Sequence, residues 1–173
     1  MSGELIVQTL KGPTSGANAN KIIVPSGHEL YAAGHVVQVV HNTATGQVSN
    51  GGSSYIDTGL SATITPQFTS SKILILVSQP MMFTMATTDS RLGYWNICRG
   101  STQLIEGGSL FDLSYNNEFQ STAFGNNLSY LDTPSTTSAT TYKTQMRVSA
   151  GTSDIYVGYG STSGAITLME IAQ

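Results

Sequence analysis

The chain has 173 residues, enough for one domain or one domain with an extended arm, and a net charge of −3 from 7 basic and 10 acidic side chains. Ser and Thr number 22 each and Gly 18. That excludes a Leu/Ala/Glu/Lys-type helical bundle and a charge-rich disordered chain, and predicts short strands joined by tight turns, an all-β fold.

The basic residues Lys11, Lys21, Lys72, Arg91, Arg99, Lys143 and Arg147 are scattered. No run of them neutralises adjacent phosphates, so nucleic acid is not an expected partner. The single cysteine, Cys98, leaves no internal disulfide. Between Ile97 and Arg99 it reads as a buried structural thiol. The apolar run Ile73 to Val77, with Met81 to Phe83 beyond it, is interrupted by Ser78, Gln79 and Pro80. It falls short of the about 20 residues a membrane helix needs, so no membrane insertion is expected. The first ten residues contain Glu4 and no basic segment before an apolar core, so no secretory leader is expected either.

Residues 1–34 differ from the rest. A weak alternation over Glu4 to Leu10 includes Leu5 and Val7; a turn-rich stretch from Gly12 to Asn20 follows, then the apolar Ile22, Ile23 and Val24 stopped by Pro25-Ser26-Gly27. Pieces this short do not bury a core within one chain. The expectation is an extended oligomerisation arm in which Leu5, Val7, Ile22, Ile23 and Val24 share an axial core among three copies.

Residues 35–173 read as an antiparallel β-sandwich of jelly-roll type, eight or nine strands with a turn signal every 8–15 residues or so. His35 to His41 places Val37 and Val39 on one face with both histidines. Ser54 to Thr65 reads as two short strands around Asp57-Thr58-Gly59, and Lys72 to Ser78 as a sheet-core run. Leu92, Tyr94, Asn96 and Cys98 alternate against Gly93, Trp95 and Ile97, and Tyr142, Thr144, Met146 and Val148 point inward against Lys143, Gln145 and Arg147. The expected core is Leu74, Leu76, Trp95, Ile97, Met146, Val148, Val157 and Leu168. Ser101 to Thr141 is the least regular segment. It holds possible short strands at Gln120 to Phe124 and Asn127 to Leu131.

Chemistry-bearing clusters are sparse. His28, His35 and His41 fall within 14 residues, but His35 and His41 lie roughly 20 Å apart along a strand and cannot share a metal within one chain. Either could form a ring of imidazoles with its copies on a three-fold axis. No spacing selects the two close carboxylates a glycosidase requires, and Asp57, Asp132 and Asp154 sit in turn signatures. No nucleophile elbow, phosphate loop or zinc-protease motif is present. No catalytic residue, metal or cofactor is therefore expected. Tyr115, Asn116, Asn117, Phe119 and Tyr130, in the irregular segment, offer flat rings and hydrogen-bonding groups suited to a host surface glycan.

Four phrases carry a resemblance: VPSGHELYAAGHVVQV (24–39), YIDTGLSATITP (55–66), SSKILILV (70–77) and ITLMEIA (166–172). They resemble segments of tail-fibre and related virion proteins of tailed bacteriophages, of the type that infects cyanobacteria. The resemblance implies a non-enzymatic virion component, usually trimeric. Two roles follow as expectations: a short homotrimeric tail fibre that docks on the tail or baseplate and contacts the host surface, or a trimeric capsid decoration protein that stabilises the shell.

Overall fold

Alternation with a period of two runs through most of the chain beyond residue 35, and the strands follow it. The structure, a computed structural model, describes residues 9–19, 22–24, 26, 32–85, 92–107, 120–149 and 154–173, apart from the side chains of 85, 120, 121 and 124. The chain divides into two compact units, Met1–Ala32 and Ala33–Gln173.

Within the first unit the described residues form no strand. Ala19 N–H donates to the Gly16 carbonyl at 3.1 Å, closing a turn that uses the positive φ of Gly16 (86°). Ile22 to Val24 form no strand with any of the described residues.

The second unit is all-β. Its described strands are β1 (Val36–Ala44), β2 (Val48–Asn50), β3 (Ile56–Ile64), β4 (Lys72–Met85), β5 (Gly93–Arg99), β6 (Thr102–Glu106), β7 (Gln120–Asp132), β8 (Thr140–Val148), β9 (Asp154–Val157) and β10 (Gly164–Ile171). All pairings are antiparallel. One sheet has the order β1-β10-β4-β9-β2 with β7 along β4; the other has the order β3-β8-β5-β6. β10 pairs with residues 72–78 of β4 and β9 with residues 81–84, while β7 lines β4 from residue 73 to residue 85. Pro80 therefore falls where β10 has ended and β9 has not begun, a gap in which a residue without an N–H is tolerated in a central strand.

Between the sheets lies one apolar core that includes Trp95, Ile97, Tyr142, Met146, Val148, Phe83, Ile155 and Leu168. The expected interior positions on β5, β8, β9 and β10 are all buried. β4 is out of phase with expectation: Ile73, Ile75 and Val77 are buried, while Leu76 is 38% exposed and Leu74 half-buried. An uninterrupted apolar run carries no phase information. The flanking Ser71 and Gln79, both buried, carry the inward phase. Three further expectations are corrected. Asp57-Thr58-Gly59 is no turn between strands but a bulge within β3, where Asp57 pairs with Gln145 and Ser61 with Lys143, and Gly59 takes φ 85°. Residues 120–132 form one continuous strand in place of two fragments. In β1 a register shift between Val36 and Gln38 puts Val36 opposite Ile171, so Val36, in place of Val37, lies on the outer side with Val39 and His41.

Two polar ties cross the core. At the centre, Leu60 N–H donates to Thr58 Oγ1 (3.2 Å), the Thr58 and Thr144 hydroxyls lie 2.5 Å apart, and Thr144 donates to Gln79 Oε1 (2.8 Å). Since that amide oxygen only accepts, Thr144 must give it its proton and receive one from Thr58. At one end Asp132 on β7 takes Arg99 Nη1 from β5 at 2.8 Å and the Tyr142 hydroxyl from β8 at 2.7 Å. Burial, and then the adjacent Asp132, hold the Tyr142 hydroxyl well above the usual tyrosine range. Asp132 is thus an inter-sheet clasp and no turn former.

Fully buried Glu170 closes the edge of the sandwich. It accepts from Gln38 Nε2 at 2.6 Å and from the N–H groups of Gln67 and Phe68 at 2.8 and 3.2 Å. Burial alone would raise this carboxyl; the donors, with the Ser71 hydroxyl nearby, outweigh it and hold it below the ordinary 4.5.

Thr144→Val strands the Thr58 hydroxyl and the Gln79 oxygen in the core and should cost about 2 kcal/mol in chemical denaturation. Thr144→Ser, which keeps the hydroxyl, should recover most of that; equal losses would show that the tie carries no stability. Glu170 predicts an acid limb. Its folded carboxyl protonates at lower pH than the unfolded one, so its stabilisation is complete above pH 4.5 and is lost as pH falls below that value. Glu170→Gln should lower stability at neutral pH and flatten the loss that the wild type shows as pH falls below 4.5. Parallel curves for the two proteins would contradict this.

Candidate functional site

The two sheets present chemically opposite outer faces. On the β3-β8-β5-β6 sheet, the outward phase of β8 places Lys143, Gln145 and Arg147 in a line. The Arg147 guanidinium lies 3.9 Å from the Tyr94 ring centre and 5.0 Å from that of Tyr55, sandwiched between two aromatic faces. The Tyr55 hydroxyl donates to Glu106 at 2.6 Å. Burial and that carboxylate raise the Tyr55 hydroxyl far above its usual range, with Arg147 opposing them.

One step along the strands, the Asp57 carboxylate accepts from Lys143 Nζ and Gln145 Nε2, both at 2.8 Å. Burial raises the Asp57 carboxyl, but these two donors prevail and hold it below the ordinary 3.8. Beneath them Asn96 and Cys98 are buried although they face outward, because the longer Gln103 and Gln145 cover them. Burial pushes the Cys98 thiol up, which makes it a poor nucleophile. The β3 bulge opens a notch of about 250 Å³ beside Asp57, Ser61, Thr141 and Lys143.

The outer face of β1, β10, β4 and β7 has none of these charges. Register places Val39 beside Met169, Met169 beside Leu74 and Leu74 beside Leu131, one apolar row across four strands. Val39 is 55% and Leu131 47% exposed. The next row is His41, Thr167, Leu76 and Ser129, and the one after it Thr43, Ala165, Ser78 and Asn127. His41 Nδ1 lies 2.9 Å from the Thr167 hydroxyl. Small side chains in these two rows leave a groove of about 320 Å³ against Leu76. Lys72 stands at one margin beside Ile171, and Asp154 lies in the other half of the sheet, on β9.

Of the contact residues expected from the sequence, Tyr115, Asn116, Asn117 and Phe119 lie outside the described residues. Tyr130 sits on β7 opposite Ile75, half-buried, with its ring packed against the core. It therefore anchors a strand and is not carried on an irregular loop. Of the arm residues, Leu5 and Val7 lie outside the described residues, and Ile22, Ile23 and Val24 are exposed at 56, 55 and 41%. His35 lies just before β1, and its carbonyl accepts from Ala172 N–H at 2.9 Å. Among the described residues no three His, Cys, Asp or Glu side chains gather to hold a metal ion.

Sequence reasoning missed the apolar row altogether. Its members come from four separate strands, and only the register brings them together. The outward phase of Lys143, Gln145 and Arg147 was readable, but their partners Asp57, Tyr55 and Tyr94 were not. No protein-family model and no curated protein matches the chain.

Proposed function

We propose that the chain is a non-enzymatic structural subunit of a tailed-phage virion: a short homotrimeric tail fibre that docks on the tail or baseplate through residues 1–34 and turns its head toward the host surface. The observation that carries this reading is the set of three uncharged rows, one of them apolar, that runs across the outer face of β1, β10, β4 and β7 with Lys72 at its margin. An outward apolar row that crosses four strands supports reading the chain as a subunit of an assembly.

The strand order supports the reading. The sequence β1-β10-β4-β7 within the six-stranded sheet, facing β3-β8-β5-β6, favours a jelly roll, the sandwich of many viral capsid and lectin domains. This is an argument from fold and adds weight to location more than to role. The phage-like phrases reach β1, β3, β4 and β10, so three of the four include strands of the sheet that carries the apolar row. Host contact is assigned to the polar, aromatic stretch Tyr115, Asn116, Asn117 and Phe119, whose chemistry suits neutral glycans. A trimeric decoration protein would use the same arm and the same face to clamp the shell, and differs in where it sits.

Gold-labelled antibody against this chain, applied to intact virions, separates the two. Label at the tail or baseplate is the expected result. Label over the whole capsid would transfer the assignment to the decoration role, and virions without label would overturn both.

A further inference from the structure

We infer that the outer face of β1, β10, β4 and β7 is the surface on which copies of this chain pack against one another, with the apolar row of one copy seated in the groove of the next. The inference rests on the homotrimer reading and names the contact that reading leaves open.

The occupant follows from charge. In a closed symmetric assembly each group near the axis meets its own copies, so a charge there faces like charge in a desolvated setting. The outward charges divide unevenly between the two faces, with Lys72 beside Ile171 at the margin of the β1, β10, β4 and β7 face. Asp57, Glu106, Lys143 and Arg147 lie together on the β3-β8-β5-β6 side, paired with neighbours on that side. The three rows from Val39 to Asn127 carry no formal charge at all. A partner of different sequence would be free to complement a charge; a copy is not.

Shape agrees. Beyond the row Val39, Met169, Leu74 and Leu131 come Ser129 in the next row and Ala165 and Ser78 in the one after it, which border the groove of about 320 Å³. In a ring of three, the row of each copy faces one neighbour and its groove receives the row of the other, a head-to-tail contact between two different patches. Four strands about 4.8 Å apart and about eight residues long offer on the order of 500 Å² of flat face. The side of β7 away from β4, which has no partner strand among the described residues, adjoins this face and would extend it toward the about 800 Å² per partner of a stable interface.

The test is the solution mass of the full chain and its single-charge variants. Three copies of 18.3 kDa give about 55 kDa for the wild type. Val39→Lys and Leu76→Arg place a charge at positions already 55 and 38% exposed within one chain, so the sandwich should still fold. Native Trp95 fluorescence checks that it does. Each variant should weaken association by about 10²-fold or more and release an 18.3 kDa species where the wild type stays assembled. Lys143→Glu, on the opposite face, should leave the mass unchanged. An assembled wild type whose folded Val39→Lys and Leu76→Arg variants keep full mass would overturn this contact and leave the homotrimer intact. A wild type at 18.3 kDa would overturn the homotrimer reading as well.

Discussion

The register of one sheet against the other rests on polar groups that must find partners inside an apolar interior. Thr58, Thr144 and Gln79 satisfy one another across the centre, and Asp132 holds Arg99 and Tyr142 across one end. Apolar side chains alone tolerate sliding, because one Ile–Leu contact is nearly as good as the next. A hydroxyl or carboxylate is different: a slip that unpairs it costs about 1–3 kcal/mol or more. These ties fix which residues of β4 point inward, since Gln79 must reach Thr144. They thereby turn Leu74 and Leu76 outward.

That outward turn links fold to role. If Ile73, Ile75 and Val77 occupy the core, their neighbours on β4 line up with Met169 on one side and Leu131 on the other. The opposite sheet spends its outward positions on a polar network in which Arg147 lies between two tyrosines and Asp57 holds Lys143 and Gln145. Exposed ion pairs of that kind add little stability, about 0–1 kcal/mol, but they keep the surface hydrated and resistant to association. The two outer faces therefore differ in chemistry, one with an apolar row and one with a hydrated polar network.

The all-β class and the strand phases of β5 and β8 were legible from composition and alternation. The phase of β4 was not, because an apolar run without alternation fits either orientation; the buried Gln79 that decides it looks like a break in the pattern. The bulge at Gly59 read as a turn because Asp-Thr-Gly serves both geometries. Asp132 read as a turn residue because its partners Arg99 and Tyr142 come from other strands, and only the sheet topology brings them together. The apolar row was hidden for the same reason, with one residue from each of four strands.

The central claim is that copies of the chain meet across the β1-β10-β4-β7 face. Distances between spin labels on neighbouring copies measure this directly, with one label set on Ser129→Cys and another on Lys143→Cys, the native Cys98 being buried. The account predicts a shorter distance between copies for position 129 than for position 143. A shorter distance at position 143, or equal distances at the two sites, would contradict it.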